Sequence, residues 1–566
     1  MNIQRTEVGE QRTEDREQGS VNRFQRAKNK YFMFLRGCSF CVFCAFLWLS
    51  FAANSASAKY SGGSGTADDP YRIGTADDLL ALGADTNDYD ANFILIADID
   101  LASYTFTAAV IAPDINNYVD GFQGTPFTGI FDGACHKISN LTISVTGSSY
   151  IGYLGLFGYI EGPVPDYPDY NYKDVVKNLT IEDVNIICSS NPYSTFNTGG
   201  LVGYNFFGGV SNCVATGTIT GQERVSALGG LVGYNESGSV SNCSSMVTIS
   251  GNLGVAGMGG LIGYSYYGSI THCSAAGNVR GLNLAGRTAY TTGLGGLVGI
   301  QEGGSITDSW AEANVVASGD TTGATASSFG GLVGYNDGGS ISQCYATGDV
   351  NSDYGCVGGL VGQNYYYPTT SIISNCYATG NVSGDGSVGG LAGGNDGTIS
   401  NCYSIGTVIG EDHFGGLVGS SDYGTVTDSF WDINTSGLTG SDGGTGKTTT
   451  EMKTESTFTD AGWDFVGETI NGTEDIWWIL EHITYPKLNW QRIIPPIPGG
   501  PGDPGSGDGG IYFPDYNFDN FINFLDFAIF ANAWLTENPF ISLDSDNYVD
   551  INDLKIFCDY WLTYTD

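Results

Sequence analysis

Gly229-Gly230-Leu231-Val232-Gly233-Tyr234-Asn235-Glu236-Ser237-Gly238-Ser239-Val240-Ser241-Asn242-Cys243 recurs, with small changes, down the middle of this chain. Its opening, Gly-Gly-Leu-Val-Gly or a close variant, starts at Gly199, Gly229, Gly259, Gly295, Gly330, Gly358, Gly389 and Gly415. The intervals are 30, 30, 36, 35, 28, 31 and 26 residues. A period of this size belongs to stacked repeats, in which each unit contacts only its neighbours. Each unit continues with a turn, a short strand ending Ser-Asn-Cys, and then Ala-Thr-Gly-x-Val/Ile. The apolar runs are short, β-branched and separated by Gly, Asn, Asp and Ser, which is strand-and-turn chemistry with no helical period. The expected fold is mainly β, a solenoid whose coils are these repeats.

Glycine supplies 85 of 566 residues, about twice the usual share, without the strict period of collagen. With 34 Tyr, 29 Phe and 41% hydrophobic residues, the chain has enough apolar material to fold. The formal net charge is −39, although the first 58 residues hold eight basic and five acidic side chains. A surface this acidic repels nucleic acid and anionic lipid, and it suits cations and neutral glycans.

The N-terminus reads as an export signal with a long polar leader. Basic residues cluster at Arg23, Arg26, Lys28 and Lys30, an apolar stretch runs from Cys38 to Ala53, and Ala56-Ser57-Ala58 fits a cleavage site before Lys59. The other reading is an uncleaved anchor, for which the apolar stretch is near the short limit. With the signal removed, the mature chain is expected to hold no membrane span and to act outside the cytoplasm, secreted or at the cell surface. Residues 59–198 should hold an N-terminal cap and the first coils. There Thr75-Ala76-Asp77-Asp78 starts a capped helix that covers open strand edges. Residues 199–438 are the eight repeats. The Trp-rich stretch 439–494 reads as a C-terminal cap, 495–510 as a Pro/Gly linker, and 511–566 as a compact module.

Equivalent residues of stacked coils form columns. Cys213, Cys243, Cys273, Cys344, Cys376 and Cys402 share one column with Ser309 and Ser429. With no Cys-x-x-Cys pair and Ser on two rungs, this column is expected to be a ladder of small inward side chains, reduced and unreactive, and not a metal or redox site. A second column, at a turn, holds Glu236, Glu302, Asp337, Asp396 and Asp422 in five coils and Phe206, Tyr266 and Tyr365 in three. It follows Asn205, Asn235, Asn336, Asn364 and Asn395. Both turn chemistry and a ligand stripe account for it. His136, His272, His413 and His482 are scattered without an acid at helical or strand spacing, and no nucleophile elbow, phosphate loop or zinc motif occurs. Catalytic residues are therefore unassigned. Arg224, Arg280 and Arg287 are the only basic residues in the repeats and read as lying between coils, which weighs against a lyase that needs a basic group.

The Gly-Gly-Leu-Val-Gly…Ser-Asn-Cys…Ala-Thr-Gly units resemble the GLUG-motif repeats of secreted and surface bacterial proteins, over roughly Gly199–Leu438. The resemblance implies a right-handed parallel β-helix with adhesion or carbohydrate-linked surface roles. The stretch Phe127–Leu141 looks like the coils that precede such repeats. The C-terminus resembles a type I dockerin, a small all-α, EF-hand-like module with two Ca²⁺ loops. The loop pattern itself places oxygen ligands at Asp515, Asn517, Asp519, Asn523 and Asp526 with the Phe521 carbonyl. The second copy offers Ser542, Asp544, Asp546, the Tyr548 carbonyl, Asp550 and Asp553. Asn520 and Asn547 replace the usual turn Gly, and Ser542 replaces an acid, so the second site should be weaker. A cohesin-like or other protein partner follows from the resemblance. The expected function is a non-catalytic surface, adhesion or scaffold protein that contacts carbohydrate. The alternative is a polysaccharide hydrolase or lyase on a β-helix.

Overall fold

The computed structural model describes residues 59–492, apart from 116–120, 146–151, 165–171, 190–195, 223–224, 253, 283–291, 320–326 and 367–369. Within them the chain winds as a solenoid of parallel strands. One coil shows the plan. Strand Ala227–Gly229 lies in a first sheet, Val232–Glu236 in a second, Ser239–Ser241 in a third, and Ser244–Asn252 in a fourth ladder. Each pairs in parallel with its counterpart in the next coil: Val232↔Ile262, Val240↔Ile270 and Ile249↔Val279. The third sheet reaches 12 strands, and the first and second reach nine each.

The repeat motif follows from sterics and alternation. At the sharp step from first to second sheet the backbones of successive coils nearly touch. A Cβ at Gly330 would lie 2.7 Å from Gly362 N, and one at Gly331 would collide with the carbonyl oxygen of Gly359. Glycine is therefore the residue that lets coils stack here. The Leu and Val that follow point inward: Leu231, Val232, Leu332 and Val333 are fully buried. At the next corner but one, Asn212, Asn242, Asn375 and Asn401 all take a left-handed φ of 52°, a conformation Asn tolerates better than most residues.

The N-terminal helix is present as expected. Ala76–Ala84 (α1) is capped by the Thr75 hydroxyl, which accepts from Asp78 N at 3.1 Å, and it buries Leu79 and Leu82. The unit around Leu154–Gly158 is a complete coil that precedes the eight: Tyr153–Leu154 pairs with Asn197–Thr198, and Phe157–Glu161 with Val202–Phe206.

The Trp-rich segment does more than cap. Strand Thr445–Lys447 extends the fourth ladder by one rung onto Phe430–Asp432. The chain then turns back and runs as a strap along the flank of the later coils. Three indole N–H groups hold it to the left-handed corner: Trp463 donates to Asp428 O (2.7 Å), Trp477 to Asn375 Oδ1 (3.2 Å) and Trp490 to Gln343 O (3.0 Å). Beneath it lies an aromatic column, Trp310, Tyr345, Tyr377 and Tyr403, stacked at 6.1, 5.0 and 5.0 Å. Trp490 reaches Trp310 at 5.5 Å, in the fourth of the eight coils. Arg280, read from sequence as lying between coils, sits inside strand Val279–Leu282.

Candidate functional site

The thiol column is an element of the corner. Cys213, Cys243, Cys273, Cys344, Cys376 and Cys402 are free and buried. Each thiol donates to the carbonyl two residues back, at 3.1–3.3 Å, closing the left-handed turn from inside. Ser309 and Ser429 donate to the same carbonyl at 2.7 Å, which explains why Ser and Cys alternate in one column. Burial pushes the thiols of Cys243, Cys273, Cys344 and Cys376 well up. Iodoacetamide on the native protein should leave all six unmodified while the exposed Cys135 reacts. Denaturant should then open them together. Native labelling of two or more of the six, read by peptide mass spectrometry, would contradict this arrangement.

The turn column is a continuous register. Glu161, Phe206, Glu236, Tyr266, Glu302, Asp337 and Tyr365 are successive Cα partners at the end of the second sheet. Glu161 belongs to it although it lies outside the eight repeats. From Glu161 to Glu302 acids and aromatics alternate, so like charges stand two rungs apart, about 9.6 Å at the usual strand spacing. That is close to the Debye length of roughly 8 Å in physiological salt, and the repulsion is largely screened. The preceding Asn residues are not the left-handed ones. Asn205 and Asn235 point inward, and their amides donate to the turn carbonyls of Gly208 (2.9 Å) and Gly238 (3.1 Å). Asn205 also donates to Asn235 Oδ1 at 2.7 Å. The left-handed residues are the next but one, Phe207, Ser237 and Tyr267, with φ of 53°, 52° and 51°.

Two residues before the acids stands a feature the sequence reading did not pick out. Tyr159, Tyr204, Tyr234 and Tyr264 stack face to face at 4.9, 4.9 and 4.8 Å, tilted by 14°, 4° and 8°. Their faces pack on one another, and the four side chains are half-buried. The Tyr204 hydroxyl donates to Glu236 Oε2. Burial, and then the bond to its glutamate, push the phenols of Tyr204 and Tyr264 up. The recurrence of Gly-Tyr-Asn at one offset was the available signal.

Two of the four histidines find acids across coils. His136 Nδ1 lies 3.1 Å from Asp98 Oδ1, and His272 Nε2 lies 3.8 Å from Asp308 Oδ2 at the left-handed corner. His482 stands beside Glu481 at 3.7 Å. The expected Ca²⁺ ligands Asp515, Asn517, Asp519, Phe521, Asn523, Asp526, Ser542, Asp544, Asp546, Tyr548, Asp550 and Asp553 lie outside the described residues, as does the leader with its Ala58 site. No helix among the described residues is long and apolar enough to cross a membrane.

Comparison with known proteins follows the coils. The GLUG motif matches residues 194–220, 225–250, 254–280, 325–351, 353–383 and 384–409. The coils begun at Gly295 and Gly415 are not matched, yet they hold the same register. A stretch of 166 residues, 29% of this chain, is 29% identical to Halomucin of Haloquadratum walsbyi (strain DSM 16790 / HBSQ001). The chain spans only 2% of the length of that relative. Among solved structures, a putative immunoglobulin A1 protease from Bacteroides ovatus aligns with a TM-score of 0.36 and 22% identity, over 52% of this chain and 81% of that one. An IgA1 protease aligns with a TM-score of 0.32 and 13% identity, over 67% and 22%. The chain is thus a mainly parallel β-solenoid that carries GLUG motif repeats on six of its coils.

Proposed function

We propose that this is a secreted, non-catalytic surface or scaffold protein whose solenoid contacts carbohydrate and whose C-terminal module docks it through Ca²⁺. The observation that carries the carbohydrate half is the turn ridge. It sets carboxylates in register with aromatic rings, of which Tyr266, Tyr267, Tyr365 and Tyr366 are exposed. Such a row is suited to an extended polar polymer. The winding is right-handed, the sense that crossover connections between parallel strands adopt. The docking half rests on the loop pattern of residues 515–526 and 542–553. A small all-α module of this size needs the metal as a staple, and its partner would be cohesin-like or another protein. Export rests on the leader and its Ala58 site, and it fits the acidic surface.

The full chain should bind members of a glycan array without releasing reducing sugar from them. Release of sugar would favour a hydrolase or lyase, and neither binding nor release would overturn the carbohydrate reading. In the same preparation Ca²⁺ should bind by calorimetry, and Asp515→Ala should weaken binding more than Ser542→Ala does. The β signal of the solenoid should persist in chelator, because its coils stack through backbone ladders and buried side chains. Absence of Ca²⁺ binding would remove the docking half alone.

A further inference from the structure

The turn ridge holds its aromatic side chains where packing does not ask for them. The position after the acid column is Phe207, Ser237, Tyr267, Gly303, Gly338 and Tyr366 in successive coils, and Tyr423 in the last. It is left-handed in Phe207, Ser237, Tyr267, Gly303 and Gly338. Glycine there is free of strain, while a bulky side chain is held against its backbone preference. Yet the left-handed Tyr267 is 55% exposed, so burial does not compensate it, while Tyr366 and Tyr423, whose backbone is not left-handed, are 51% and 87% exposed. Strained backbone at the exposed Tyr267 ring, with Tyr366 and Tyr423 exposed at the same position of other coils, points to a use outside the fold. The neighbouring coil also makes room: a Cβ at Gly303 would lie 2.7 Å from the Tyr267 ring.

The rings and the acids divide the coils between them. The first and third coils carry paired rings, Phe206 with Phe207 at 4.6 Å and Tyr266 with Tyr267 at 4.7 Å, both edge to face. The second and fourth carry Glu236 and Glu302 in register beside them. Among the described residues neither carboxylate has a Lys or Arg partner within ion-pair distance. Ring platforms about two rungs apart, roughly 10 Å, alternate with unneutralised carboxylates. Sugar rings present C–H faces that stack on aromatic rings, and the carboxylates require positive charge on the same polymer.

We propose that the ridge binds a polysaccharide of amino sugars with free, protonated amino groups, its pyranose rings on Phe206/Phe207 and Tyr266/Tyr267 and its ammonium groups on Glu236 and Glu302. This rests on the carbohydrate reading above and names its ligand class. Uncharged glycans lack the counter-charge, and acidic ones are repelled by the whole surface.

The test is sedimentation of the full chain with four insoluble or bead-linked polymers: deacetylated β-linked glucosamine polymer, its N-acetylated form, cellulose and polylysine. The wild type should prefer the deacetylated polymer over the N-acetylated form by about tenfold at low salt, with the preference falling as salt rises. Phe207→Ser with Tyr267→Ser copies the residue that the second coil carries at the same φ, so the double variant should fold at least as well. It should lose about tenfold in affinity for the deacetylated polymer while its polylysine binding stays unchanged. Glu236→Gln with Glu302→Gln should erase the preference for free amino groups. Equal binding of wild type and ring variant to the deacetylated polymer would overturn the proposal, reducing the ridge to a charge effect. Binding to cellulose or the N-acetylated polymer alone would also overturn it and leave the carbohydrate reading standing. Failure with every polysaccharide here and on the glycan array would remove both.

Discussion

Replacing Trp477 by alanine is expected to free the strap and to cost about 3–5 kcal/mol, the range for truncating a fully buried large aromatic. The indole has no solvent exposure. It packs at 4.7 Å on Trp463 and at 6.1 and 6.4 Å on Tyr403 and Tyr377. Its N–H also holds the corner at Asn375. The loss should be local, because coils of a solenoid couple to their neighbours and not to the whole. Hydrogen exchange should therefore rise across residues 449–491 and in the coils beneath the strap, and stay unchanged in the coils begun at Gly199 and Gly229. Uniform acceleration along the stack, or none, would show that the strap does not stabilise these coils in the way described.

Alanine at Gly331 is expected to be strongly damaging. The added carbon collides with the carbonyl oxygen of Gly359 and stands 3.0 Å from Ala346 Cβ, and both belong to backbone or short side chains that have nowhere to move. Overpacking a tight core costs about 1–3 kcal/mol, and a backbone clash between coils should fall at the top of that range or beyond it. The break would separate the fifth coil from the sixth, so urea unfolding should split into two steps where the wild type shows one. Gly440→Ala is the control: nothing lies within 4 Å of a Cβ there, and its φ is not left-handed. It should change stability by less than about 0.5 kcal/mol. Equal effects of the two substitutions would contradict the steric account of the motif.

What could be read in advance follows from what repeats. Residues that recur at one offset face one environment. The thiol column, the turn column, the glycine pair and the capped helix at Thr75 were therefore legible from spacing and residue type alone. The thiols were expected inward and small, and they are buried and free. The turn column left two explanations open, and the structure accounts for its Asn residues by turn chemistry. The Asn amides bond the turns from inside, and the acids and rings face out. The tyrosine stack escaped notice because a column of Tyr at a half-buried strand position looks like ordinary strand composition. Only the 4.8–4.9 Å spacing of the rings shows that their faces are covered by one another.

Residue order alone carried the coil: its period, its stacked register and its inward Cys. These are local or nearest-neighbour matters, set by alternation, by β-branching and by where a Cβ fits. The strap emerges only from the folded chain, closing contacts across 147 residues between Trp490 and Gln343 and 102 between Trp477 and Asn375. No periodicity encodes a contact of that separation. Its trace is indirect: after the thiol position the early coils carry Val214, Ser244 and Ser274, and the later ones carry Trp310, Tyr345, Tyr377, Tyr403 and Phe430. Large rings on the outer flank of a solenoid need a cover, because so much apolar surface is costly to leave in water. The chain supplies that cover by folding its own C-terminal tryptophans back over them.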